Sequence, residues 1–381
     1  MTPTFGLVAG EASGDTLGAA LITALRERLP GARFYGVTGP KMRAAGCESW
    51  ADAEELALMG LAEIVRHLPR LVRLRRELAA RFLAARPDVF IGIDAPEFNL
   101  GLERRLKSAG IRTVQYVSPQ VWAWRQGRVR TMHESCDRVL CLLPFETDFY
   151  AAHGVDARFV GHPLADQLPL QPDRAGARNA LGLAKEATVV ALLPGSRGGE
   201  VSRLAEPFIG AAAWLAQQRP GLQFIAPMAS AKVRALFEAA LQRVSAAPPI
   251  AIVDGQSHRV LAAADVVLVA SGTATLETLL TQRPMVAAYR LAPLTAFVLQ
   301  RLGIVKVKHF SQPNLLLGRS AVPEFFQEAV QPAALGAALL AQLDDSAGRA
   351  TLLADFERVH RTLRAGGSAR AAEAVIELLP A

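Results

Sequence analysis

The sequence predicts an α/β protein with two domains, each built around a parallel β-sheet. Three observations lead to this prediction. The chain has 381 residues, which is more than one ordinary α/β domain needs and enough for two separate cores. Short apolar runs alternate with longer amphipathic stretches, as expected for strands joined by crossover helices. This alternation stops at a proline-containing segment and then begins again.

The first half contains a series of predicted strands, which are Phe5–Ala9, Phe34–Val37, Val89–Ile93, Thr113–Val117, Arg138–Leu142 and Ala157–Val160. The main amphipathic stretches between them predict helices at Asp15–Leu29, Glu54–His67 and Pro69–Ala85. Pro69 should separate the last two, because a proline inside a helix removes a hydrogen bond and clashes with the preceding turn.

The segment His162–Gly182 has prolines among charges and predicts an interdomain linker. Further strands follow at Thr188–Leu193, Gln223–Ala226, Ile250–Val253, Val266–Ala270 and Pro284–Tyr289, and helices near Pro332–Gln342 and Gly348–Arg364 come last. We therefore expect a Rossmann-like domain at residues 1–165, a second at 166–345, and C-terminal helices at 346–381 that pack across both. Ligands of such sheets bind at the carboxyl ends of the strands, here in a cleft between the domains.

Composition and charge narrow the class of protein. The net charge is +7, which fits nucleic acid, an anionic membrane or phosphorylated small molecules as partners. No nucleic-acid-binding motif is present, so we expect no nucleic-acid partner. The three cysteines, Cys47, Cys136 and Cys141, lack metal-site spacing and should be buried thiols in a reducing compartment.

Targeting signals are not evident in the sequence. The first residues, MTPTFGLVAG, have no basic region and lead directly into a strand. No stretch reaches the roughly 18 uninterrupted apolar residues of a spanning helix. We expect a cytoplasmic protein that is soluble or peripherally bound to a membrane.

Two strand-to-helix turns in the first half carry polar residues. In the turn after Phe5–Ala9, Ser13, Gly14 and Asp15 can approach an anionic or sugar ligand, or can only cap the helix. In the turn after Val89–Ile93, Asp94 is placed as a general base, and its alternative role is also helix capping. Partial burial would raise the pKa of Asp94 and make it a better base.

Two turns in the second half indicate a phosphate site. Gly195, Ser196 and Arg197 combine backbone N–H groups with a cation, although Arg197 can also be a solvated surface residue. The turn at 271–273 opens a helix whose dipole favours a diphosphate, and Glu277 lies on the same helix face as Thr273. Glu277 could accept both hydroxyls of a ribose or form an ordinary salt bridge. The donor-side candidates in this region are Ser271, Gly272, Thr273, Thr275 and, more weakly, Asn314.

The motifs of several other enzyme chemistries are absent from the sequence. The sequence contains no P-loop, HExxH, GxSxG or His/Cys cluster. It also has no Asp-x-Asp pair that would hold a metal against a diphosphate. We therefore expect no metal and no cofactor, with leaving-group charge stabilised by helix N-termini and arginine.

Six motifs, taken together and in this order, closely resemble the lipid-A-disaccharide synthase family. They are VAGEASGD near residue 10, IGIDAPEFN at 91–99, YVSPQVWAWRQGRV at 116–129, LLPGSRGGEV at 192–201, LVASGTATLE at 268–277 and QPNLL at 312–316. The resemblance runs essentially from end to end. It implies a GT-B fold, an inverting and metal-independent transfer, attachment to the cytoplasmic face of the inner membrane, and a homodimer.

The resemblance also implies the substrates and the roles of the candidate residues. The donor would be UDP-2,3-diacylglucosamine and the acceptor 2,3-diacylglucosamine 1-phosphate, giving a β-1,6-linked disaccharide 1-phosphate and UDP. Asp94 would remove the proton of the acceptor's 6-hydroxyl. Arg197 and the 271–273 turn would hold the diphosphate, and Glu277 the ribose.

Acylated substrates require apolar surface, and one basic amphipathic stretch fits an anionic bilayer. Without the family, a helix packed on the sheet is the better explanation of the same pattern. The residues proposed for membrane or acyl contact are Leu56, Met59, Leu61, Ile64, Arg66, Arg70 and Arg73.

Two alternative enzymes remain open at this point, and so does a third, non-catalytic function as a membrane-bound lipid- or nucleotide-binding protein. Another transferase could use a UDP-sugar and a lipid carrier, although in the peptidoglycan enzyme a histidine should follow the first glycine-rich turn, where this chain has Asp15. A UDP-sugar epimerase of the same architecture would carry out chemistry at C2 instead of transfer.

Overall fold

The structure is a computed structural model that describes residues 2–56, 61–119, 129–292 and 308–380, with the side chains of 61–68 excluded. The chain divides into two compact units. The first consists of Met1–Asp166 and Leu363–Ala381, and the second is Gln167–Thr362. The predicted ranges were 1–165, 166–345 and 346–381, so the last of these ranges is shared between the two units.

The first unit contains a parallel sheet of seven strands in the order β3-β2-β1-β4-β5-β6-β7. The strands are β1 (Thr4–Ala9), β2 (Arg33–Thr38), β3 (Glu48–Asp52), β4 (Val89–Ile93), β5 (Arg112–Tyr116), β6 (Arg138–Cys141) and β7 (Ala157–Phe159). Six were predicted from the sequence. The strand β3 was not, because its residues ESWAD are half-exposed at the sheet edge and form no apolar run. The strand order reverses between β1 and β4, where a ligand site is expected at the carboxyl ends.

Helices of the first unit cover both faces of this sheet. They are Ala12–Arg28, Pro40–Ala44, Leu61–Ala85, Pro96–Ser108, Val129–Ser135, Phe145–Ala151, Pro163–Gln167 and Gly367–Ile376. One face packs against the first and last of them, through residues such as Leu21, Leu25 and Val375. The other face packs against Leu78 and Phe82.

The prediction that Pro69 separates two helices is wrong. A single helix, Leu61–Ala85, runs through Pro69, and residues 53–55 before it form one short 3-10 turn. Leu78, Ala79 and Phe82 of this helix are buried against the sheet. Packing of this face offsets the local cost of the proline, as tertiary contacts commonly do.

The second unit contains a parallel sheet of six strands in the order β10-β9-β8-β11-β12-β13. The strands are β8 (Val189–Leu193), β9 (Gln223–Met228), β10 (Ile250–Asp254), β11 (Val266–Ala270), β12 (Met285–Tyr289) and β13 (Glu324–Phe326). The helices are Arg174–Ala180, Gly198–Gln218, Ala231–Arg243, Ser257–Ala263, Thr273–Leu280, Gln312–Leu317, Pro332–Asp344 and Ser346–Leu363. Here the order reverses between β8 and β11.

The predicted linker at His162–Gly182 contains the division between the two units and also the helix Arg174–Ala180 of the second unit. The division falls between Asp166 and Gln167. Beyond it, Arg178 is only 2% exposed. Its guanidinium donates to the carbonyl oxygens of Ala263, Lys185 and Ala187 and pairs with Asp265 at 2.7 Å. A charged residue of the predicted linker is thus an internal anchor, which composition alone does not show.

Within the described ranges, no helix combines the length and apolarity that crossing a bilayer requires. The three cysteines are buried free thiols, as predicted.

Candidate active site

Asp94 directly follows β4 in a turn with an unusual backbone. Asp94 and Ala95 both have positive φ, +54° and +42°, before the helix Pro96–Ser108 begins. Non-glycine residues in this region carry strain and cluster at functional sites. The turn is held by its backbone: Asp94 N–H donates to Tyr116 O at 2.9 Å, and Asp94 O accepts from Asn99 Nδ2 at 2.9 Å.

The environment of the Asp94 carboxylate favours a base. Burial raises the pKa of Asp94 above its ordinary value, and a backbone N–H at Ala95 partly opposes the shift. Within the described ranges, Asp94 forms no ion pair. A half-buried carboxylate without a paired cation binds a proton more readily than a solvated one.

The turn after β1 lies beside the Asp94 turn. Strand β1 pairs with β4 so that Ala9 is opposite Ile93. A methyl group placed on Gly10 would lie 2.3 Å from Ala95 Cβ, and one on Gly14 would lie 3.5 Å from Ile93 O. Ser13 is exposed at the start of the helix Ala12–Arg28. The structure therefore brings Ser13 and Gly14 to the same sheet edge as Asp94.

Asp15 has a structural role that the sequence did not show. Its carboxylate accepts N–H groups from Gly39 at 3.0 Å, Lys41 at 2.9 Å and Met42 at 2.9 Å. The residue is buried. Asp15 therefore caps the helix Pro40–Ala44, which follows the neighbouring strand β2, and does not cap its own helix. Both carboxylate oxygens of Asp15 already accept backbone N–H groups. Contact with the acceptor substrate is therefore expected only from Ser13 and Gly14.

The turn after β8 differs from the predicted phosphate cradle. Glu200 Oε2 accepts the backbone N–H groups of Ser196 at 3.2 Å and Arg197 at 3.3 Å. These two amides are therefore already satisfied within the turn, where Gly195 has φ +130° and packs against Glu200. The Arg197 side chain is 76% exposed and lies 3.7 Å from Glu200 Oε1. An exposed pair of this kind is weak, so the guanidinium is available to an anion.

The turn after β11 opens the helix Thr273–Leu280. Gly272 and Thr273 are exposed, and no atom of the described ranges lies within 4 Å of a methyl group placed on Gly272. The first N–H groups of a helix have no intrahelical acceptor, so those at Thr273 and Ala274 point out of the helix start. This helix start, unlike the turn after β8, retains donors for a phosphate.

Ser271 and Thr275 fasten a neighbouring loop by their hydroxyl groups. Ser271 Oγ donates to Phe310 O at 3.0 Å, and Thr275 Oγ1 accepts Gln312 N–H at 3.2 Å. Thr275 is fully buried. The prediction that the Thr275 side chain contacts the donor is therefore not supported, because its hydroxyl is enclosed.

Asn314 is likewise buried and satisfied. Its Oδ1 accepts N–H groups of Ala321 at 2.7 Å and Val322 at 2.8 Å, and its Nδ2 donates to Val322 O at 2.9 Å. The side chain ties the helix Gln312–Leu317 to the chain that follows it. Asn314 thus binds the backbone of a neighbouring loop, whereas the sequence predicted that it binds the donor.

Glu277 has a partner that sequence reasoning missed. Its Oε1 lies 3.7 Å from His258 Nε2, and its side chain is 20% exposed. Interaction with Glu277 raises the pKa of His258, against a smaller opposing effect of burial. His258 begins the neighbouring helix Ser257–Ala263, 19 residues before Glu277, so no local spacing signals the pair.

The predicted membrane stretch is described only in part. Leu56 is buried against the sheet together with Tyr35 and Phe82, so the prediction that it contacts lipid is wrong. Met59 lies outside the described residues, and the side chains of Leu61, Ile64 and Arg66 lie outside the described side chains. Arg70 is exposed and pairs with Glu55 at 2.8 Å, and Arg73 is exposed.

No group of three or more His, Cys, Asp or Glu side chains that could hold a metal occurs in the described part of the chain.

Comparison with solved structures gives the fold. The chain is similar to the calicheamicin glycosyltransferase CalG4, with a TM-score of 0.59 and 19% identity over 99% of this chain and 98% of that chain. It is also similar to a putative UDP-N-acetylglucosamine 2-epimerase from Listeria monocytogenes, with a TM-score of 0.62 and 12% identity over 99% and 95% of the two chains. Two parallel-sheet α/β units with these neighbours define the GT-B glycosyltransferase fold.

Sequence comparison then gives the family. The lipid-A-disaccharide synthetase family model matches residues 5–376. Lipid-A-disaccharide synthase of Alkalilimnicola ehrlichii is 55% identical over 97% of both chains, and that of Sodalis glossinidius is 53% identical over 99% of this chain and 98% of its own. The chain belongs to this family, which confirms the resemblance. It is a glycosyltransferase of lipid A disaccharide synthesis, with a UDP-sugar donor and a lipid acceptor.

Proposed function

We propose that this chain transfers 2,3-diacylglucosamine from UDP-2,3-diacylglucosamine to 2,3-diacylglucosamine 1-phosphate with inversion. The products are the β-1,6-linked disaccharide 1-phosphate and UDP. The family match over residues 5–376 is the observation that carries this proposal. The half-buried Asp94 also supports it, because burial raises the pKa of this carboxylate and so suits it to act as a base.

The proposed step requires only the two substrates and groups of this chain. Asp94 takes the proton of the acceptor's 6-hydroxyl, and the resulting oxygen forms a bond to C1 of the donor sugar. The bond from C1 to the diphosphate breaks, and UDP leaves with the electron pair. Its charge is stabilised by Arg197 and by the N–H groups that start the helix Thr273–Leu280, while Glu277 accepts the ribose hydroxyls.

One experiment separates this function from the two alternative enzymes. Purified protein is incubated with radiolabelled donor lipid, with and without the acceptor, and the products are separated by thin-layer chromatography. We expect a labelled disaccharide only when the acceptor is present. A labelled C2 epimer without acceptor would indicate an epimerase, and transfer to a different lipid carrier would indicate the other transferase.

Arg197→Ala should weaken donor use by about 2 kcal/mol, because a charge-assisted contact to the diphosphate is lost. This corresponds to a rise of about 30-fold in the donor KM. The matched control is Arg219→Ala, which removes a partly exposed arginine that follows the same helix, Gly198–Gln218, at its other end. Equal UDP binding by both variants and the wild type would remove Arg197 from the donor site.

We further propose that the enzyme binds the cytoplasmic face of the inner membrane through the basic stretch around Arg70 and Arg73. Replacing Arg66, Arg70 and Arg73 by glutamate should abolish flotation with anionic vesicles, and added salt should weaken wild-type binding. The control replaces the exposed Arg361, Arg364 and Arg370 by glutamate, which changes the net charge equally. Equal flotation of both variants would show that the stretch does not bind lipid. A homodimer is also proposed, and sedimentation equilibrium tests it.

A further inference from the structure

Glu103 is a buried carboxyl group without a hydrogen-bond partner. Its residue is fully buried in the helix Pro96–Ser108, and neither carboxylate oxygen has a hydrogen-bond partner among the residues that the structure describes. Enclosing a polar group in this way costs free energy, and enclosing a charge costs much more. The reaction proposed above does not use Glu103, so the group requires a separate explanation.

Two buried amide side chains lie on the same side of the sheet as Glu103. A methyl group placed on Gly92 would lie 2.2 Å from Glu103 Oε1 and 3.0 Å from Asn99 Cγ. Gln115 of β5 is paired with Gly92 of β4, so both residues face the same side. We refer to Asn99, Glu103 and Gln115 as the buried polar cluster. It lies against the last residues of β4, immediately before Asp94.

Both amides of the cluster hold the backbone of Asp94. Asn99 Nδ2 and Gln115 Nε2 donate to Asp94 O at 2.9 and 3.2 Å. These bonds fix a turn whose positive φ angles are strained without support. Their own oxygens, Asn99 Oδ1 and Gln115 Oε1, are buried and accept no hydrogen bond from the described part of the chain. The cluster therefore has amide oxygens that can accept a hydrogen bond but no N–H or O–H group of the described residues that donates one to them.

A neutral carboxyl group supplies that hydrogen, because it has one O–H donor and an ionised carboxylate has none. Burial raises the pKa of Glu103 well above its ordinary value, against a smaller effect of Lys107. Lys107 Nζ donates to the carbonyl oxygens of His133 and Cys136 and lies 3.6 Å from Asp137. The other titratable neighbour, Cys136, is a buried thiol whose pKa burial also raises.

We propose that Glu103 keeps its proton in the folded enzyme, donates it to an amide oxygen of the buried polar cluster, and so positions Asp94. Donation to the amide oxygen fixes which way that amide group is oriented. The amide N–H group then remains directed at Asp94 O. Glu103 is thus a positioning residue that acts through Asn99 or Gln115. This inference rests on the proposed role of Asp94 as the base.

Two variants of Glu103 test the proposal. Glu103→Gln retains a donor of similar size, so its kcat should be within about threefold of wild type. Glu103→Leu removes the donor, and a displaced base should lower kcat by about 10²-fold at an unchanged donor KM. The wild-type kcat should fall as rising pH removes the Glu103 proton, and Glu103→Gln should not show this fall. Circular dichroism of each variant establishes that the fold is retained.

Infrared spectroscopy adds a readout that does not depend on turnover. The wild type at neutral pH should show the carbonyl stretch of a protonated carboxylic acid, which Glu103→Gln should lose. The control Glu134→Gln, at a partly exposed carboxylate that pairs with Arg104 and Arg130, should keep both the band and the wild-type kcat.

Three results would overturn the proposal: a wild-type kcat in Glu103→Leu, an equal defect in a folded Glu103→Gln, or no protonated-acid band. These outcomes are distinct from failure of the proposed base. If Asp94→Asn retains turnover, the base assignment fails. If Asp94→Asn is inactive and Glu103→Leu is fully active, only the positioning role fails.

Discussion

Asp94→Asn should lower kcat by about 10²–10⁴-fold and leave UDP affinity nearly unchanged. The amide keeps the size of the side chain and removes its basicity, and a primary hydroxyl is a poor nucleophile at neutral pH. Asp94→Glu should recover little activity, because a catalytic group displaced by about 1 Å can lose about 10²-fold. Turnover is measured at saturating concentrations of both substrates, and UDP affinity by calorimetry.

A matched control lies at the opposite end of the same strand. Asp88 precedes β4, and its carboxylate accepts the Thr4 N–H at 2.8 Å. Asp88→Asn should therefore leave kcat unchanged. The acid limb of the wild-type pH profile should lie above the ordinary range of aspartate, since burial raises the pKa of Asp94. Near-wild-type turnover of Asp94→Asn would show that another group is the base.

Arg178→Ala should lower the free energy of unfolding by about 3–5 kcal/mol, the usual cost of removing one partner of a buried ion pair. The change leaves Asp265 without its buried cation and removes the donor to three carbonyl oxygens. Urea denaturation followed by circular dichroism measures the loss.

Arg174 provides the comparison, because it pairs with the same Asp265 from a side chain that is 47% exposed. Arg174→Ala should cost less than about 1 kcal/mol, as exposed pairs do. Similar losses in the two variants would contradict the anchoring role of Arg178 and indicate that Asp265 alone stabilises the segment.

The sequence predicted the parallel strands well because buried strands of an α/β sheet are continuous apolar runs. It failed where tertiary packing decides the outcome. Pro69 stays inside one helix because Leu78 and Phe82 pack on the sheet. The edge strand β3 has no apolar run to reveal it.

The candidate site was predictable in position and less so in the use of each side chain. Asp94 and the 271–273 turn follow central strands, and that position can be inferred from a strand pattern. Asp15 and Asn314 bind backbone groups that lie 24 and 7 residues further along the chain, outside any local motif, so this capping could not be seen in the sequence. The cluster around Glu103 left no clear signal, because Gln115 lies in a strand, RTVQY, that already contains the polar Arg112 and Thr113.

The first unit is discontinuous along the chain, and this has a consequence for synthesis on the ribosome. Ala371, Ala372 and Val375 belong to the core that contains Phe5, Leu7 and Leu21. Arg138 also binds Ala374 O and Glu377. The amino-terminal half therefore cannot complete its core while the carboxyl-terminal residues are still in the exit tunnel. The second unit can fold first, although nascent domains usually mature from the amino terminus. A ribosome that stalls before residue 363 would release a chain whose leading half exposes apolar surface and depends on chaperones.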